Sequence, residues 1–238
     1  MTSELDPIDR LFDRLNAWRH LPAYQLERRA DIFFAVYLQE ALESVLGTRL
    51  SDTIIPELPI KRDLIWPDRP TNKSVKVDYC LFSAERDRVF FVELKTDVGS
   101  RRSEQDEYLT RAVDVGFHRI VGGIREIALA STANQKYHHL LHSLASEEFM
   151  ILPDDLPEFL YPAPRPGLSD RLEAIAVADR DPAIEVFYVQ PTSDNTARCI
   201  DFDGFAKIVE RHHDPVSRAF AASLRRWQQP AGARPPGT

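Results

Sequence analysis

The 238-residue sequence contains only two cysteines, Cys80 and Cys199. Two thiols are too few for a disulfide scaffold, a four-thiolate zinc site or a cysteine-ligated iron–sulfur cluster within one chain. No apolar run approaches the roughly 18 residues of a membrane-spanning helix, and the first residues, Met-Thr-Ser-Glu-Leu-Asp, lack the basic and apolar blocks of a signal peptide. These absences predict a cytoplasmic protein with no membrane partner.

Basic residues are fewer than acidic ones: the sequence has 30 lysines and arginines and 37 aspartates and glutamates, for a net charge of −7. This balance argues against indiscriminate binding of polyanions but leaves room for a local basic groove or an acidic metal site. At about 150 residues per domain, the length fits one large domain or two small ones. We predict a single α/β domain over 1–227 and a flexible, proline-rich tail over 228–238.

Hydrophobic periodicity divides the chain into helices and strands. Helical spacing predicts helices over 8–18, 24–46, 102–114, 117–130, 134–145 and, with a break near Pro215, 203–227. Runs of β-branched and aromatic residues predict strands over 54–60, 74–82, 88–95 and 184–190, the first at a sheet edge because of its two prolines. This order predicts an α/β fold around a mixed central sheet.

The long helix over 24–46 is expected to be covered on more than one face. Its main apolar stripe is Phe34, Leu38, Ala41, Leu42 and Val45, and a second apolar surface is Ile32, Phe33, Val36 and Tyr37.

Asp78, Glu93 and Lys95 are charged residues that lie inside apolar predicted strands. Glu93 and Lys95 are two apart and therefore share a strand face. If strands 74–82 and 88–95 form a hairpin with Ala84 opposite Val89, Asp78 lies opposite Lys95 and diagonal to Glu93. A register shift of two places Asp78 opposite Glu93 instead, whereas a shift of one separates the group.

Two carboxylates beside an ammonium group suit hydrolysis of phosphate esters. Carboxylate oxygens are the ligands that Mg²⁺ and Mn²⁺ prefer. Such an ion polarises a phosphoryl oxygen and activates water, and a lysine can orient or deprotonate that water or stabilise the developing charge.

Asp78, followed after the predicted hairpin by Glu93-Leu94-Lys95, resembles the motif of the PD-(D/E)XK nuclease superfamily. Gln105 and Tyr108 are similar to the glutamine–tyrosine element of the exonuclease-like branch, although three residues separate them here and four is usual. The resemblance implies a restriction-endonuclease-like core with the order αβββαβ, carried by about 24–114 and 184–227. Residues 115–183 would then be a helical insertion.

The resemblance also implies an activity, a metal-dependent nuclease that hydrolyses phosphodiester bonds, with DNA as the expected nucleic-acid partner. Asp78 and Glu93 would hold Mg²⁺ or Mn²⁺, Lys95 would position or activate the attacking water, and Gln105 and Tyr108 would orient the site or substrate. The family usually adds an acid from its first helix.

The candidates for that helix acid are Glu27, Asp31, Glu40 and Glu43. Helical angles favour Glu27 as a metal ligand, because positions 27 and 31 fall within the apolar stripe and positions 40 and 43 point away from it. Glu57 in the first strand is a further candidate. The sequence leaves open whether the protein forms a homodimer or belongs to a larger defence or repair assembly.

Other interpretations compete with the nuclease. The three charged residues could form a structural ion-pair cluster, or the chain could be a catalytically inactive nuclease-fold module that binds nucleic acid or a protein partner. His138 and His142 have the spacing of zinc ligands but lack the His-Glu-x-x-His pattern, so a polar helix face is expected. The basic stretch 61–76, which contains Trp66, could contact phosphates or could be a solvated loop.

Overall fold

The structure, a computed structural model, describes residues 6–68, 73–97, 103–131, 134–154, 156, 168–193 and 198–229. Within these residues the chain is an α/β protein with a mixed five-stranded sheet flanked by helices. The predicted α/β class and mixed sheet are therefore confirmed. No helix in the described ranges is long and apolar enough to cross a membrane. The predicted tail over 228–238 lies outside the described residues from 230 onward.

The elements follow the predicted succession, with additional short ones. The helices are α1 (Pro7–Trp18), α2 (Leu26–Leu46), α3 (Arg62–Ile65), α4 (Ser103–Val115), α5 (Phe117–Ala130), α6 (His138–Ser146), α7 (Leu168–Glu173), α8 (Phe202–Val209) and α9 (Pro215–Trp227). The strands are β1 (Leu50–Lys61), β2 (Ser74–Ser83), β3 (Arg88–Leu94), β4 (Met150–Ile151), β5 (Ala176–Val177), β6 (Ala183–Gln190) and β7 (Cys199–Asp201). A 3₁₀ turn, Asn134–Tyr137, precedes α6.

The strand order in the main sheet is β1-β2-β3-β6-β7. β1 lies at an edge, as its prolines predict, and pairs antiparallel with β2. β6 and β7 are parallel. β7 was not predicted from the sequence, because its three residues are too short to form a periodic run. β4 and β5 form a separate two-stranded sheet.

The chain divides into two compact units. The first unit comprises Met1–Arg49, Val92–Arg102 and Phe187–Thr238, and the second comprises Leu50–Phe91 and Ser103–Val186.

Aromatic rings form the core of the first unit. The Phe34 ring on α2 lies 5.5 Å from Phe202, 5.3 Å from Phe205 and 5.2 Å from Phe220, measured between ring centroids. The helix ends are defined by local chemistry: Asp6 and Asp214 cap α1 and α9, and Gly47, with φ of 63°, ends α2.

The predicted burial of α2 is only partly correct. Phe34, Leu38, Ala41, Leu42 and Tyr37 are buried. Val45 is 54% exposed, although it continues the stripe, because it lies in the last turn before Gly47. Ile32 and Val36 are 63% and 66% exposed, because they lie on the side of the helix opposite Phe34.

The second unit packs α5 against β1. Gly123 on α5 permits this close approach, since a Cβ atom there would lie 2.7 Å from Leu64 Cδ1 and 3.2 Å from Lys61 Cβ. Phe117 at the start of α5 packs on Phe149 and Phe82, with ring centroids 4.9 Å and 6.0 Å away. These contacts bury the face of β2 that carries Phe82.

Candidate active site

The structure brings Glu93 and Lys95 into direct contact in the first unit. Lys95 Nζ donates a 2.7 Å hydrogen bond to Glu93 Oε1, and the two side chains are only 5% (Lys95) and 1% (Glu93) exposed. Glu93 is the penultimate residue of β3, and Lys95 follows the strand directly. Two-residue spacing in extended backbone places both side chains on one face, and their opposite charges make burial of each tolerable.

The backbone at Lys95 is fixed by the neighbouring strand. Lys95 N–H donates to the carbonyl oxygen of Val189 on β6 over 2.8 Å. In a parallel ladder this bond places Lys95 level with Gln190, whose buried side chain donates from Nε2 to the Thr192 carbonyl oxygen over 2.9 Å. Thr96, the next residue along the chain, is also buried. The backbone that carries the ammonium group is thus hydrogen-bonded to the neighbouring strand.

Arg19 is a buried charge that was not predicted from the sequence. Its guanidinium lies 3.6 Å from Asp97, two residues beyond Lys95, and donates to the Gln229 carbonyl oxygen over 2.7 Å and to the Arg226 carbonyl oxygen over 3.3 Å. Burial lowers the pKa of Arg19, and the nearby Asp97 carboxylate opposes that shift. Arg19 therefore joins the segment after β3 to the end of α9, a relationship that no local sequence pattern reveals.

Asp78 lies on β2 in the second unit, half-buried between the buried residues Val77 and Tyr79. The register pairs Pro56 with Tyr79 and Leu58 with Val77, which places Glu57 of β1 at the level of Asp78. Glu57 has a φ of 52°, a left-handed conformation that side chains other than glycine rarely adopt. Its carboxylate is exposed and pairs with Lys76.

Gln105 and Tyr108 contact each other at the start of α4. The buried Tyr108 hydroxyl donates to the Lys76 carbonyl oxygen over 2.9 Å, and Gln105 Nε2 lies 3.4 Å from the same hydroxyl. Both contacts are within the second unit. The pair therefore fixes α4 to β2 two residues before Asp78, which is a positioning role.

The four acids of α2 differ in their surroundings. Glu40 is bound by Arg211 and His212, with a 2.6 Å contact to His212 Nε2. Asp31 is exposed and accepts from the backbone N–H of Ile32. Glu27 and Glu43 are half-buried, Glu27 in the first turn and Glu43 in the last.

Within the described residues, no group of three or more His, Cys, Asp or Glu side chains gathers closely enough to hold a metal ion. The proposed ligands Asp78, Glu93 and Glu27 do have the right chemistry, because all are carboxylates and hard cations prefer oxygen. Lys95 already occupies one oxygen of Glu93.

The histidines of α6 also approach one another. The His138 and His142 rings are 4.3 Å apart between centroids, and His138 is buried. Burial, with the nearby rings of His142 and His139, lowers the pKa of His138 to about 4. The interpretation of His138 and His142 as part of a polar helix face is therefore wrong for His138, which belongs to the interior.

The basic stretch 61–76 is largely neutralised within the described residues. Lys61 pairs with Glu126 and Asp63, and Lys76 pairs with Glu57. The Arg62 guanidinium lies over the Trp66 ring, 5.1 Å from its centroid. These two line a cleft of about 330 Å³ together with Asp68, Glu104, Glu107 and Arg111. Three carboxylates in the cleft make it a poor site for phosphate.

Comparison with models of known protein families, with curated proteins and with solved structures finds no match for this chain.

Proposed function

We propose that this protein is a divalent-metal-dependent nuclease that hydrolyses phosphodiester bonds, with DNA as its substrate. The observation that carries the proposal is the buried hydrogen bond from Lys95 Nζ to Glu93 Oε1 at the end of β3. Buried ion pairs contribute little net stability, because desolvation offsets most of the attraction. Two buried charges kept at the end of a strand are therefore better explained by chemistry than by folding.

Each residue has a role in the proposal. Glu93 supplies carboxylate oxygens for Mg²⁺ or Mn²⁺. Asp78 is the second proposed ligand, on the basis of the sequence motif. The ion, when bound, supplies Lewis-acid stabilisation of a phosphoryl oxygen. Lys95 orients the attacking water or stabilises developing negative charge, and its hydrogen bond to Glu93 holds the ammonium group in position. Gln105 and Tyr108 position β2. Glu27, the additional ligand that the family pattern implies, belongs to no three-residue metal group within the described ranges.

A second candidate, a catalytically inactive module on this scaffold that binds nucleic acid or a protein partner, is favoured by one observation. Lys95 already neutralises Glu93 within hydrogen-bond distance, as it would in a purely structural ion pair. In that case neither residue would be needed for cleavage, and divalent ions would not stabilise the protein.

The decisive experiment is a cleavage assay with linear, circular and single-stranded DNA, with and without Mg²⁺ or Mn²⁺. The wild-type protein is compared with Asp78→Asn, Glu93→Gln and Lys95→Met. A nuclease requires cleavage that depends on metal and falls by at least about 100-fold in each variant, the scale of losing one catalytic group. Substrate preference among the DNA forms separates end cleavage from internal cleavage.

Two controls separate chemistry from folding. The double variant Glu93→Gln/Lys95→Met removes both charges and should fold, so its inactivity would reflect lost chemistry. Glu40→Gln alters an acid of α2 that is bound to Arg211 and His212, and it should retain activity. Thermal stabilisation of the wild type by Mn²⁺ that disappears in Glu93→Gln supports the metal role. Full cleavage by all three single variants would overturn the proposal.

A further inference from the structure

A groove on the first unit runs along one stripe of α1. The stripe consists of residues three or four apart, Pro7, Arg10, Leu11, Arg14, Leu15 and Trp18, and Tyr24 closes one end. The groove measures about 490 Å³. Leu11 and Trp18 are each 44% exposed, so two large apolar side chains on one stripe of the helix remain accessible.

Two neighbouring side chains contact Trp18 within this groove. The Tyr24 ring contacts it edge-on, with ring centroids 6.0 Å apart and the planes at 70°. The Arg14 guanidinium lies over the indole, 5.7 Å from the ring centroid. These contacts restrain the indole and still leave much of it accessible. A restrained, exposed indole is a platform on which a nucleobase can stack.

The charge of the groove favours an anionic ligand. Arg10 and Arg14 are exposed, and neither forms an ion pair with a residue that the structure describes. They lie one helical turn apart, about 6 Å along the axis, a separation suited to successive phosphates of an extended strand. Asp9 and Asp13, also on α1, do not line the groove. The cleft beside Trp66, in contrast, carries three carboxylates.

We propose that this groove binds single-stranded nucleic acid, with a base stacked on Trp18 and phosphates bound by Arg10 and Arg14. The inference rests on the proposed nuclease function and deepens it, because it specifies the form of the substrate. A duplex keeps its bases within the helix, so it cannot use the indole in this way. An acidic peptide would match the charge, but it would not specifically require a flat aromatic surface flanked by two cations at this spacing.

The test measures binding to the full chain in EDTA, where a metal-dependent enzyme does not cleave. Fluorescence anisotropy follows three labelled probes, a thymidine oligonucleotide, an abasic strand of equal length and a duplex. The wild type should bind the oligonucleotide most tightly, and Trp18→Ala should weaken that binding by about 5- to 100-fold, the effect of losing one stacked base. Arg10→Gln and Arg14→Gln should each weaken binding and reduce its salt dependence.

Arg28→Gln is the matched control, because Arg28 is exposed on α2 and does not line the groove. It should bind like the wild type. Unchanged affinity in Trp18→Ala, equal binding of the abasic strand, or preference for the duplex would overturn the proposal. So would binding of a glutamate-rich peptide in place of the oligonucleotide. If the groove binds the oligonucleotide but the protein cleaves no DNA, only the proposed nuclease function is contradicted. If the protein cleaves DNA but the groove variants bind like the wild type, only the proposed groove site is contradicted.

Discussion

The Tyr108 hydroxyl donates a 2.9 Å hydrogen bond to the carbonyl oxygen of Lys76, two residues before Asp78 on β2. This bond attaches α4 to the strand that carries a proposed metal ligand. Tyr108 is therefore a positioning residue within the second unit. The contact from Gln105 Nε2 to the same hydroxyl measures 3.4 Å, which is long for a hydrogen bond. The two residues should therefore differ in importance.

Replacement of Tyr108 by Phe removes the hydroxyl and leaves the Lys76 carbonyl without this donor. We expect a loss of about 1–2 kcal/mol in the free energy of unfolding, measured by urea denaturation. In a nuclease, kcat should fall while KM stays nearly constant, because the variant would misplace β2 without touching the substrate. Gln105→Leu is the comparison and should cost less stability. Equal effects of the two substitutions would contradict this ranking.

The Glu93–Lys95 pair predicts a strongly non-additive pattern of stability. Lys95→Met leaves the Glu93 carboxylate buried without its ammonium partner and should cost about 3–5 kcal/mol. The double variant Glu93→Gln/Lys95→Met removes both charges, so its free energy of unfolding should lie no more than about 1 kcal/mol below that of the wild type. Denaturant titration of the two variants tests this. A double variant as unstable as Lys95→Met would instead indicate that packing around the lysine stem dominates.

Most helices and strands could be predicted from the sequence, because their apolar periods are long and bounded by clear signals, such as Gly47 after the end of α2 and Pro215 at the start of α9. The shared face of Glu93 and Lys95 could also be predicted, since a strand repeats every two residues. Arg19 could not be found in this way, because its partners near Gln229 are more than 200 residues away in sequence. β7 was missed because three residues carry no period.

Burial was predicted less well than the elements themselves. The apolar character of Ile32 and Val36 suggested a second covered face of α2, but both are more than half exposed. Hydrophobicity indicates which side chains can be buried, whereas the arrangement of neighbouring elements decides which are. The opposite error occurred at His138, a polar residue that the structure places in the interior.

Acid should destabilise the protein through His138. Its folded-state pKa of about 4 lies below the ordinary value of 6.5, so the unfolded chain binds more protons between these values. Stability should therefore fall as the pH drops from about 6.5 to about 4, by at most about 3 kcal/mol for this residue. The melting temperature should change less with pH across this range for His138→Leu than for the wild type. His213→Leu changes an exposed residue and should keep the wild-type dependence of melting temperature on pH. The same dependence in all three proteins would exclude His138 as the cause.

The two adjacent glycines of α5 offer a matched test of packing in the second unit. A Cβ atom at Gly123 would lie 2.7 Å from Leu64 Cδ1 and 3.2 Å from Lys61 Cβ, whereas one at Gly122 would have nothing within 4 Å. Gly123→Ala should therefore cost about 1–3 kcal/mol through overpacking. Gly122→Ala should stabilise the helix by about 0.5–1 kcal/mol, because alanine loses less backbone entropy.

Equilibrium unfolding in urea measures both changes, and a third variant identifies the contact responsible. Shortening the obstructing side chain in Gly123→Ala/Leu64→Ala removes the closest atom, so the double variant should lose less stability than the two single changes combined. Strict additivity of the two losses would show that the Leu64 side chain moves aside freely. In that case the contact with Lys61 sets the separation between α5 and β1, because the backbone at Lys61 cannot move without disturbing the end of β1.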